Sequence, residues 1–64
     1  MSVSSNVRRL RLAAGQSIED VSSGARIQLN VMNGIEMGRV TRPDQVDALA
    51  RYFGVSVAEM EGEA

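Results

Sequence analysis

The chain has 64 residues and no cysteine, histidine, lysine or tryptophan; a domain this small buries only about 60% of its unfolded surface, so one core held by packing alone is expected, without disulfides, zinc fingers or thiol and imidazole nucleophiles. Seven arginines stand against eight carboxylates for a net of −1, and without residues 59 to 64, which hold Glu59, Glu61 and Glu63, seven arginines face five acids, a net of +2; this balance argues against a strongly electrostatic nucleic-acid binder. No apolar run approaches a signal-peptide core or the roughly 18 to 20 residues of a membrane span, so a soluble, intracellular chain is expected.

Ser5 is a candidate cap for a helix near 6 to 14, with Val7, Leu10 and Ala14 at helical spacing and Gly15 as its stop. Ser17 and Asp20 form an S-x-x-D capping box, and Ile18, Val21 and Ala25 make the apolar stripe of a second helix over about 18 to 25. Leu29, Met32, Ile35 and Glu36 recur at helical spacing and predict a third helix from about 28 to 36. Gln28 is a poor cap for it, and Gly34 costs about 1 kcal/mol relative to alanine. Gly38 closes this helix and residues 39 to 42 form a loop. Thr41 with Asp44 supplies another capping box, Pro43 sits in the first turn, and Val46, Leu49, Ala50 and Phe53 form the inner face of helix 4. Gly54 ends that helix, and Ser56 with Glu59 opens a last short helix from Val57 to about Glu61. Met32, Met37 and Met60 read as core or gap-filling residues, and Arg8 and Arg9 as solvent-facing charge. With no strand-like alternation, the expectation is a single all-α domain over residues 1 to 64.

The segments RRLRLAAG at 8 to 15, S-x-E-D at 17 to 20, M-x-x-I-E-x-G at 32 to 38 and LARYFGVSVAEM at 49 to 60 together resemble the Cro/CI, or XRE, helix-turn-helix family over nearly the whole chain. The resemblance implies a compact five-helix, lambda-repressor-like domain. In that family helix 3 enters the major groove of double-stranded DNA, while helix 2 and the loop after helix 3 hold phosphates. Carried onto this sequence, the DNA-facing set is Ser17, Gln28, Leu29, Asn30, Asn33, Arg39, Thr41 and Arg42. Arg11 and Glu36 match an ion pair that ties helix 1 to the end of helix 3. No metal or cofactor is implied.

Several positions depart from the family. Its phage-repressor members carry glutamine at the positions of Ile18, Leu29, Asn30 and Gly34, and a carboxamide can bond adenine bidentately; only Asn30 keeps an amide. Arginine and lysine give way to Asp44 and Thr41, which weakens phosphate attraction. Glycine is usual at the position of Arg26, where the chain turns left-handed. Either Gly24 takes that turn two residues early, or Arg26 accepts about 1 kcal/mol of strain.

Asn30 is the best base reader, with Arg39 and Arg42 positioning on phosphate; the bland alternative is a solvated face, since helix 3 also exposes Leu29, Val31 and Gly34. Asp44 and Asp47 have no cleft, metal partner or nucleophile beside them, so no enzyme is expected. Two readings follow. One is a sequence engineered on the phage-repressor scaffold, with operator binding weak or lost; the other is a natural repressor domain that binds operator DNA through helix 3. Core and caps kept beside altered reading residues favour the first. A monomer or a weak homodimer, paired through the C-terminal end, is expected.

Overall fold

The start of the first helix is set by Ser2, whose side chain accepts the Ser5 backbone N–H at 3.2 Å. In the computed structural model, which describes residues 2 to 62 and leaves Met1, Glu63 and Ala64 outside, helix α1 therefore runs Val3–Ala13. The expected start near residue 6 is late by one turn, because Ser2 and Ser5 stand three apart and the earlier serine takes the cap. The remaining helices are α2 Ile18–Ala25, α3 Leu29–Glu36, α4 Pro43–Phe53 and α5 Val57–Met60. No strand occurs among the described residues.

Capping chemistry fixes most of these boundaries. Ser17 and Asp20 exchange two bonds of 3.0 Å at the head of α2, and Ser56 with Glu59 forms the equivalent pair at α5, at 3.3 and 3.0 Å. Each pair satisfies two backbone donors that a helix start leaves orphaned. At α4 the cap is Arg42, one residue later than the expected Thr41. Pro43 occupies the first helical position, where its missing N–H costs nothing, and the Arg42 N–H donates to Gln45 Oε1 at 3.0 Å.

Val7, Val21, Ile27, Met32, Ile35, Val46, Leu49, Ala50 and Met60 form the buried core, to which every helix and the α2–α3 turn contribute. Complete burial of a side chain such as Leu49 contributes about 1.5–3 kcal/mol. The Cα radius of gyration is 10.1 Å, against about 10.7 Å for a compact chain of this length. Phe53 is half-buried on the inner face of α4, packed against this core and edge-on to Tyr52 at 5.0 Å. Met37 leaves its expected place and is 75% exposed, because α3 ends at Glu36 and the next residue points past the core. Ala14 is exposed as the C-cap of α1.

Gly24 lies inside α2 and has a packing reason to be glycine. A β-carbon there would stand 2.1 Å from Tyr52 Cε1, so the ring of α4 rests on bare α2 backbone. The Tyr52 hydroxyl then donates to Gln16 Oε1 at 2.5 Å, which pins the α1–α2 loop to α4.

Candidate nucleic-acid interface

The turn between α2 and α3 is made by Arg26, which adopts φ 58° and ψ 44°. Gly24 stays helical, so Arg26 carries the left-handed conformation itself. Two bonds hold it there: the Ile27 N–H donates to the Ser22 carbonyl at 3.0 Å, and the Ser22 hydroxyl donates to the Ile27 carbonyl. Ile27 drops into the core directly after the turn. An apolar residue just past a helix end is a known companion of left-handed termination, and it is the sequence signal that identifies this anchor. Ser22 gives no such signal, because its hydroxyl partner depends on the turn geometry.

Helix α3 is fixed from its inner side by Glu36. The Arg11 guanidinium donates to this carboxylate through Nε at 2.5 Å and Nη2 at 3.1 Å, and through Nη1 to the Gln16 carbonyl at 3.0 Å. Arg8, expected to face solvent, reaches the same carboxylate at 3.4 Å while its side chain remains 59% exposed. The Ser4 hydroxyl donates to the Glu36 carbonyl at 2.9 Å. Glu36 is 4% exposed and Arg11 14%, so the charges satisfy each other away from water. The hydrogen bond to Glu36 holds the Arg11 pKa above the ordinary arginine value. A cation with a raised pKa lends its stabilisation below that value and loses it only as pH rises through it, here in strong alkali.

The C-terminal end of α3 shapes the outward side. Gly38, at φ 91°, reverses the chain, and the Arg39 N–H donates to the Gly34 carbonyl at 3.0 Å. The Arg39 side chain then runs back across α3: a β-carbon on Gly34 would lie 3.0 Å from Arg39 Cδ and 3.4 Å from Nη1. Gly34 is consequently buried and Val31 half-buried, where both were expected to be exposed. Asn30, Arg39, Arg42 and Gln45 line an open concavity of about 210 Å³ together with Gly34 and the apolar Val31, Ile35 and Val40.

Three of the sequence-predicted residues thus share one concavity. Gln28 borders a neighbouring one of about 250 Å³ with Arg26 and Asp44. Leu29 and Asn33 are exposed on α3, Thr41 is half-buried, and Ser17 is occupied as a cap; these four line neither concavity. Arg42 stands 3.4 Å from Asp44 with both side chains about three-quarters exposed, whereas Arg39 has no ion-pair partner among the described residues.

The sequence pattern of the family described as helix-turn-helix domain matches residues 4–62. The chain belongs to that family. In a helix-turn-helix domain the second helix of the motif is the one laid into a groove, so α3 and its outward concavity acquire functional weight, and the membership suggests DNA binding. Comparison with curated proteins and with solved structures gives no significant match. Among the described residues no helix is long and apolar enough to cross a membrane. Among the described residues no three histidine, cysteine or acidic side chains gather as a metal site.

Proposed function

We propose that the chain is a Cro/CI-type module, one domain over its length, that binds double-stranded DNA weakly through the outward side of α3. The observation that carries this reading is the concavity shared by Asn30, Arg39 and Arg42 on the groove-entering helix of the motif. An amide offers the donor–acceptor pair that adenine needs, and guanidinium groups suit both phosphate and guanine. Ser17, Gln28, Leu29, Asn33 and Thr41 complete the proposed surface, on which Leu29 would meet a thymine methyl group.

Weakness follows from charge. Arg42 shares its field with Asp44, and a second acid, Asp47, pairs with Arg51 at 2.9 Å. Few phosphates are neutralised, so few counterions are released. Intracellular action as a monomer or weak homodimer fits this reading.

A second reading is favoured by a separate observation. The core and the Ser2, Ser17 and Ser56 caps obey the fold, while Leu29 and Gly34 are apolar where phage-repressor members carry base-reading glutamines; a sequence engineered for the scaffold, with operator binding lost, would have this pattern. Titration of the chain against a random duplex pool and its selected members, at low and moderate salt, separates the two. Duplex binding is expected to be sequence-dependent, with a log–log salt slope of about −1 to −2. Binding that ignores sequence at every salt concentration would leave the engineered, non-reading alternative.

A further inference from the structure

We infer that Arg39 is a specificity-determining residue that reads a guanine from a seat across α3, an inference that rests on the duplex-binding reading above. Helix α3 presents no side chain of its own at Gly34, one turn beyond Asn30. The space is filled by the aliphatic stem and guanidinium of Arg39, with Cδ, Nη1 and Nε at 3.0, 3.4 and 3.7 Å from the glycine's β-position. Its root is fixed as well, because Gly38 turns the chain and the Arg39 N–H is bonded to the Gly34 carbonyl. An arginine borne on a loop is thereby laid on the outward face of the helix, beside the amide of Asn30 and at the rim of the same concavity.

Charge and entropy agree with this seat. Arg39 has no carboxylate partner among the described residues, unlike Arg8, Arg11, Arg42 and Arg51, so its donors are open to a ligand. Side chains already seated lose less freedom on binding. The planar guanidinium fork matches the O6 and N7 acceptors of guanine in the major groove, whereas an amide matches adenine. A G·C pair next to an A·T pair is therefore the preferred element, read by Arg39 and Asn30 respectively.

The test is selection of preferred sequences from a random duplex pool by the full chain and two variants, followed by titration of single-base-pair changes at two salt concentrations. Arg39→Met keeps an unbranched stem over Gly34 and removes every donor. Gly34→Ala leaves Arg39 intact but crowds its Cδ, 3.0 Å from the new methyl group, on a helix that alanine favours. Arg39→Met is expected to lose about 5- to 150-fold discrimination at one G·C position and little discrimination elsewhere, with a smaller loss at the same position in Gly34→Ala and an unchanged salt slope there. Discrimination retained at every position in Arg39→Met, or an equal loss of affinity for all duplexes, would assign Arg39 to phosphate and overturn the inference alone. A parent chain that selects no sequence overturns the duplex reading together with it.

Discussion

The two flanks of α3 use the same residue type in opposite ways. On the inner flank, Arg11 and Arg8, one turn apart on α1, converge on one carboxylate, Glu36, which is 4% exposed. On the outer flank, Arg39 and Arg42 border an open concavity, one without an acid partner and the other beside an acid that water screens. Charge count sees four arginines in both places together; partnership divides them into two that hold the buried Glu36, one beside the exposed Asp44, and Arg39 without an acid partner among the described residues. A helix presented to a ligand needs this asymmetry, since the face that binds must stay uncommitted and the opposite face must carry the positioning.

The sharpest way to break the comparison is on the inner flank. Glu36→Ala strands Arg11 and should destabilise the domain by about 3–5 kcal/mol in chemical denaturation, with a smaller loss when Arg11 is replaced by methionine in the same chain. A double variant whose loss equals the sum of the two single-variant losses would deny that the pair is coupled. Next in size is the turn that aims α3. Arg26→Gly relieves a left-handed arginine and is expected to raise stability by about 1 kcal/mol, read as a higher denaturation midpoint. On the outer flank, Arg42→Ala should change stability by no more than about 0.5 kcal/mol, because its ion pair is exposed. A large loss there would mean that the two flanks are not distinct.

Most of the architecture could be read from short-range chemistry. The Ser17–Asp20 and Ser56–Glu59 boxes are local, since both partners lie within one turn, and the five-helix all-α order follows from such signals together with apolar spacing. Where two local signals competed, the reading slipped: Ser2 outbid Ser5, and Arg42 before a proline took the cap from Thr41. Contacts between distant segments were less visible. Gly24 reads as a weak point in a helix, yet it is the place where Tyr52 closes on α2, a relation separated by 28 residues that no periodicity encodes. The candidate interface shows the same limit. Asn30, Arg39 and Arg42 could be named from their types and positions, but the meeting of Arg39 with Gly34 depends on the Gly38 reversal, and its meaning emerges only when the path of the side chain is known.

Asn6 has a consequence for how the domain comes apart. Its amide, buried in α1, donates to the Met60 carbonyl at 2.9 Å and the Glu59 carbonyl at 3.3 Å. A four-residue helix near a chain end would ordinarily open and close by itself, far more often than the whole protein unfolds. Here the carbonyls at the end of α5 are capped by the first helix and Met60 is fully buried, so α5 cannot detach without leaving a buried amide orphaned. The first and last helices are thus joined in one cooperative unit, and native-state hydrogen exchange at the Met60 and Glu61 amides, both bonded to α5 carbonyls or its cap, should proceed through global unfolding rather than through local fraying.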